Sequence, residues 1–213
     1  ITGGKYVLGV GLGYRPEEFE ALGVAFKQRM SRFEEAIPLI RRLWMEDSVT
    51  HHGTHFTVGG LSASIKPKRV GGPPIWVGGD VLAAVKRAAR LNCPWIAPPT
   101  MTFMEIAERV KVYSETISKI DGGDVNEQPI VREVAIGATK EQALQAAGPA
   151  LLAKYESYAS WGQTATKEQP RLADNFDDFI KDRFIIGDEF EVADELARYK
   201  DSFGDGEFLA RVQ

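Results

Sequence analysis

The chain has 213 residues, 44% hydrophobic and 26% charged, with a formal net charge of −4. These proportions fit one ordinary globular domain with a sizeable core. The acidic balance argues against a nucleic-acid or membrane-surface partner, which would require an excess of Lys and Arg, and favours a small-molecule ligand. Cys93 is the single cysteine, so neither an intrachain disulfide nor a cysteine metal cluster is expected. No run of about 18 apolar residues and no signal-peptide pattern occurs, which predicts a cytoplasmic protein.

In chain order, short β-branched or aromatic runs predict strands at Lys5 to Gly11, Pro74 to Gly78, Pro94 to Ala97, Ile130 to Ala138, Phe184 to Gly187 and Gly206 to Val212. Between them lie amphipathic stretches. Phe26, Met30, Phe33, Ile37 and Ile40 share a helical face, in which Pro38 predicts a kink or early break. Val81, Ala84, Val85, Ala88 and Ala89 mark a second helix with small packing residues. A third follows from Phe103 through Ile106, Val110, Tyr113 and Ile117 to Ile120. The last carries Val192, Leu196 and Tyr199, with Asp188 placed to cap it and Glu191 as the reciprocal partner.

Strands alternating with helices predict parallel strands joined by right-handed crossovers, in an open doubly wound sheet or a (β/α)₈ barrel. Two segments depart from the alternation. Residues 50–73 read as a β excursion, and the polar, acidic residues 162–182 as a surface loop or lid. No repeat or linker divides the chain, so residues 1–213 are expected to form a single domain. A strand begins within a few residues of Ile1, as expected of a chain that continues a larger domain.

Two glycine-rich strand ends carry the candidate chemistry. Gly9-Val10-Gly11-Leu12-Gly13-Tyr14 follows the first strand and precedes Pro16-Glu17-Glu18-Phe19. Glycines there let the backbone approach an anion, although the spacing is not GxGxxG and a simple chain reversal explains the pattern equally well. Ile75-Trp76-Val77-Gly78-Gly79-Asp80 ends a buried-type strand at the start of a helix. Phosphates commonly sit at such ends, but Asp80 as an N-cap would satisfy the same N–H groups. His51, His52 and His55 lack the further ligands that a zinc site needs and read as polar residues of the excursion, so no metal is expected. Of Trp44, Trp76, Trp95 and Trp161, only Trp161 lies beside a polar loop; the others read as core. Lys66, Lys68 and Arg69 form a basic cluster, either a solvated loop or a contact for an anionic tail.

In order and separation, GGKYVLGVGLGYRPEEFEALGVAFKQRMSRFEEAIPLIRRLW, HGTHFTVGG, KPKRVGGPPIWVGG and FIIGDEFEVADEL resemble the luciferase-like monooxygenase family from end to end. The resemblance implies a (β/α)₈ TIM barrel, incomplete here because the family's N-terminal βα units have no counterpart. It also implies an oxidoreductase or monooxygenase that uses reduced FMN, or alternatively the deazaflavin coenzyme F420, on a small organic substrate. Gly11, Gly13 and Tyr14 would lie along the cofactor's phosphate and ribityl side, and Gly78 and Gly79 would hold the phosphate. Catalytic residues are not assigned. An incomplete barrel exposes strand edges, to be covered by missing sequence, by another chain or by aggregation, and a homo-oligomer is expected. Two other classes stay open: a non-catalytic flavin-binding barrel, and a barrel isomerase or aldolase acting on a phosphorylated substrate.

Overall fold

A computed structural model describes residues 2–123, 127–162, 172–204 and 206–212. It divides into two compact units, residues 1–77 and 78–213, with the boundary inside a core strand.

In the first unit, β1 (Leu8–Val10) and β4 (Ile75–Gly78) pair in parallel, with Leu8 opposite Ile75, Gly9 opposite Trp76 and Val10 opposite Val77. Ile75, Trp76 and Val77 are all buried, as a continuous apolar run in a parallel sheet requires. β1 is shorter than the run Lys5 to Gly11 suggests: the Lys5 N–H closes a turn onto Thr2 O, and pairing with β4 begins only at Leu8. Between the two strands come α1 (Pro16–Ala21) and α2 (Arg29–Met45). Pro38 neither ends nor splits α2, whose buried Ile37 and Leu39 flank it. Packing of that apolar face outweighs the one backbone bond that proline removes.

Residues 50–73 contain no helix. The antiparallel hairpin of β2 (Val49–His52) and β3 (Thr57–Leu61) occupies their first half. Its turn is tied to α2 through Glu35, whose carboxylate accepts the backbone N–H groups of His55 at 2.9 Å and Phe56 at 3.0 Å. His51 Nε2 donates to the same carboxylate at 2.9 Å, and His55 Nε2 hydrogen-bonds Ser31 Oγ at 2.7 Å. These hydrogen bonds hold the Glu35 carboxyl down to about 2, the His51 contact first, against partial desolvation.

The second unit is built on β6 (Ile130–Ile136), which pairs in parallel with β7 (Ile185–Gly187) on one edge and β8 (Phe208–Val212) on the other. At its start β6 also meets Ala97, just past β5 (Trp95–Ile96). α3 (Leu82–Arg90), with Ala84, Val85, Ala88 and Ala89 buried, packs on α4 (Phe103–Ile117), and Thr102 with Glu105 forms a capping box on α4. α7 (Glu189–Phe203) begins with the expected Asp188–Glu191 capping box.

The longest helix, α5 (Lys140–Ser160), has no counterpart among the helices read from the sequence. Pro149 and Gly148 lie inside it, and its buried Ala143, Ala147, Leu151 and Tyr155 pack with Phe179, Phe184 and Ile186. Of the loop expected over residues 162–182, residues 163–171 lie outside the described part. The rest is ordered structure: a 3₁₀ turn (Leu172–Asn175) and α6 (Phe176–Ile180), which bury Leu172, Phe179 and Ile180 in that cluster. Three buried apolar side chains in an acidic stretch outweigh its polar composition.

Candidate functional site

The parallel pairing of Val10 with Val77 means that the two glycine-rich turns leave their strands at corresponding, C-terminal ends. In the first turn, Gly13 takes φ +75°, a conformation that favours glycine, and a Cβ added there would meet the Phe19 ring. Gly11 is different. A Cβ added at Gly11 meets nothing within 4 Å, so the space beside this backbone is open. Tyr14 is 41% exposed. Arg15, at the cap of the short α1, forms a pair at 3.0 Å with Glu18 across an exposed surface.

At the second turn, Gly79 takes φ +153°, and a Cβ added there would lie 2.5 Å from Ala84 Cβ. The Gly79 carbonyl is fixed by the indole N–H of the buried Trp95 at 2.8 Å. Trp95 is therefore a positioning group within the core, as expected. Asp80 does not serve as the helix cap: Val81 occupies the N-cap, without a side-chain hydrogen bond, and α3 starts at Leu82. Among the side chains here, none closes the α3 N-terminus, and Val81 and Leu82 are about half exposed (46% and 47%). The Ala84 N–H already donates to the Val81 carbonyl at 2.8 Å, so it is the Leu82 and Ala83 N–H groups, with the positive end of the helix dipole, that are available to an anion. The aspartate competition that the sequence suggests is absent from the geometry.

The basic cluster is not at this end. Lys66 Nζ donates to the carbonyls of Leu43, at 3.1 Å, and of Glu46, so it closes the C-terminus of α2. Lys68 and Arg69 line a cavity with Thr2, Tyr6 and Pro73, residues that precede β1 and β4. They therefore stand at the N-terminal ends of these strands, opposite the glycine turns. A β4 of four residues separates the two ends by about 13 Å at 3.3 Å per residue. The reading of Lys66, Lys68 and Arg69 as a contact for a cofactor tail beside the phosphate is corrected by this polarity.

Sequence reasoning missed a buried charge cluster on β6. The Glu133 carboxylate, fully buried, accepts from Lys154 Nζ at 2.7 Å and the Tyr155 hydroxyl at 2.9 Å, and lies 3.4 Å from Arg211. Burial raises the Tyr155 phenol well above its usual range, and the Glu133 charge adds to this. On the neighbouring residue, Arg132 donates to the Tyr199 hydroxyl at 2.7 Å and to the carbonyl of Pro98 at 3.1 Å. Desolvation lowers the Arg132 guanidinium from its ordinary value. The signal was two adjacent opposite charges in the otherwise apolar run IVREVAI. Among the described residues, no group of three or more His, Cys, Asp or Glu is arranged to hold a metal ion. Nor is any described helix long and apolar enough to cross a membrane.

The chain belongs to the luciferase-like monooxygenase family, whose profile matches residues 1–206. Its fold superposes on a crystal structure of monooxygenase RslO1 from Streptomyces bottropensis with a TM-score of 0.78 at 21% identity, covering 96% of this chain and 60% of that one. By sequence it is similar to an F420-dependent glucose-6-phosphate dehydrogenase of Rhodococcus erythropolis, 37% identical over 86 residues, or 38% of this chain and 25% of the relative. It is also similar to an FMNH(2)-dependent dimethylsulfone monooxygenase of Pseudomonas fluorescens, 33% identical over 95 residues, or 43% of this chain and 26% of that one. The match thus spans about a quarter of each of these two curated relatives. Relatives in this family use flavin or F420 and are oxidoreductases or monooxygenases.

Proposed function

We propose that this chain forms the cofactor-phosphate end of an incomplete (β/α)₈ barrel and serves a flavin-dependent oxidoreductase or monooxygenase acting on a small organic substrate. Reduced FMN is the proposed cofactor. Gly11, Gly13 and Tyr14 would lie along its phosphate and ribityl side, and Gly78 and Gly79 would receive the phosphate. The observation that carries this reading is the α3 N-terminus, which begins at Leu82, three residues after Gly79, and whose N-cap Val81 makes no side-chain hydrogen bond. When bound, the cofactor supplies the redox chemistry; the chain's residues bind and orient it. The open space beside Gly11 fits a ligand lying against the backbone.

The placement of Lys68 and Arg69 favours FMN over F420, whose additional anionic tail would gain from cations beside the phosphate. Arg15, which follows the first turn, is paired with Glu18. The test is a fluorescence and absorbance titration of the protein with FMN, reduced FMN and F420. Saturable binding of a flavin, tighter for reduced FMN than for F420, is expected. Binding of neither flavin nor F420 would overturn the reading.

A further inference from the structure

The first unit carries a concave surface at the N-terminal ends of β1 and β4, with a volume of about 360 Å³. This lies within the range of small-molecule pockets, about 300–1,000 Å³. Its chemistry is one-sided: Lys68 and Arg69 contribute cations, and none of the described residues lining it is acidic. That bias runs against a chain whose net charge is −4. Lys66 lines the same cavity, but its ammonium is committed to the end of α2, which fixes the base of the loop carrying Lys68 and Arg69. Gly3 and Gly4, at φ +63° and +92°, form the facing wall, and a Cβ added at Gly3 would meet nothing within 4 Å. Half-exposed Tyr6, at 51%, and Pro73 supply an apolar side.

We propose that this pocket binds a small soluble phosphate ester. Lys68 and Arg69 hold the phosphate, the guanidinium offering the planar fork that matches phosphate oxygens. Tyr6 and Pro73 pack against the organic group. The site is separate from the proposed cofactor end, because it lies at the other end of the same strands, and it does not depend on the identity of the cofactor.

Isothermal titration with phenyl phosphate at low salt, in the presence of saturating FMN, tests the proposal. Saturable binding, tighter than that of inorganic phosphate, is expected. A Lys68→Ser/Arg69→Ser double variant should weaken it by about tenfold, the sum of two exposed charge contacts, and leave FMN affinity unchanged. Both side chains are exposed, so an unaltered melting curve is expected for the variant. Tyr6→Ser should remove the preference for phenyl phosphate over inorganic phosphate. The proposal is overturned by absent binding, by equal binding in the double variant, or by displacement of phenyl phosphate with FMN. Binding to phosphatidic-acid vesicles without binding to the soluble ester would also overturn it. Loss of FMN binding with phenyl phosphate binding retained would instead count against the cofactor reading alone.

Discussion

Alanine at Gly11 and at Gly79 should separate a ligand contact from a fold requirement, since the two glycines differ in what a methyl group would meet. At Gly79 the backbone sits at φ +153°, and the new Cβ would approach Ala84 Cβ to 2.5 Å, about 1 Å inside ordinary carbon contact. The strained conformation costs about 1–3 kcal/mol and the overpacking a similar amount. Gly79→Ala is therefore expected to destabilise the protein by about 2–6 kcal/mol even without ligand, and it cannot by itself report on phosphate binding. At Gly11 the φ is ordinary and the space is open, so Gly11→Ala should leave stability unchanged or raise it by about 0.5 kcal/mol. If the cofactor lies against this backbone, the same methyl displaces it, and FMN affinity should fall by about tenfold or more, or about 1.4 kcal/mol. Urea denaturation of both variants, with flavin titration of Gly11→Ala, gives the two measurements. A folded Gly11→Ala protein with unchanged affinity for FMN and F420 would refute the placement of the first turn, and an undiminished stability of Gly79→Ala would refute the steric reasoning.

Three further outcomes follow from the geometry. Because the Glu35 carboxyl is held at about 2 in the folded chain, against 4.5 for the free group, its contribution to stability is complete above about pH 4.5 and lost as pH falls towards 2. Faster hydrogen exchange at the His55 and Phe56 amides over that window is expected, and Glu35→Gln should produce it at neutral pH; protection unchanged in the variant would remove the clasp. Glu133→Ala strands Lys154 and the Tyr155 hydroxyl around a buried site and should cost about 3 kcal/mol in denaturation. A loss below about 1 kcal/mol would show that the cluster relaxes to solvent. Lys66→Met should remove the clamp on the last turn of α2, lowering stability by about 0.5–1 kcal/mol without altering FMN or F420 binding. A selective loss of F420 affinity would return Lys66 to the cofactor.

The helices α2, α3, α4 and α7 were legible because each buries one face and so writes its period into the sequence, and the core strands because their buried residues form short continuous apolar runs. β4 is read from Ile75, Trp76 and Val77, and α7 from Asp188 and Glu191, whose reciprocal bonds are local. α5 was not legible. Its buried positions, Ala143, Ala147, Leu151 and Tyr155, keep a four-residue spacing, but further alanines and leucines around the helix and the Gly148-Pro149 pair blur it. α6 was hidden for the opposite reason: its short apolar pattern sits among Asp177, Asp178 and Lys181, and only contact with α5 and β7 residues makes Phe179 and Ile180 core.

At the candidate site, residue types were readable and directions were not. Glycines after two strands mark places where backbone can approach a ligand, and the parallel register then puts Val10 beside Val77 so that both turns leave corresponding strand ends. Lys66, Lys68 and Arg69 are close to Gly78 in sequence, which suggested proximity in space. A strand between them reverses that inference, because a chain entering β4 at Pro74 and leaving it at Gly78 carries the cations at one end and the glycines at the other. The alternative in which Asp80 caps the helix turns on register in the same way. Asp80 stands one residue ahead of the actual cap, Val81, whose side chain offers no acceptor, so a shift of one position leaves the helix start without a side-chain cap. The chemistry of this end of the molecule therefore rests on strand polarity and on one residue of helix register, neither of which composition records.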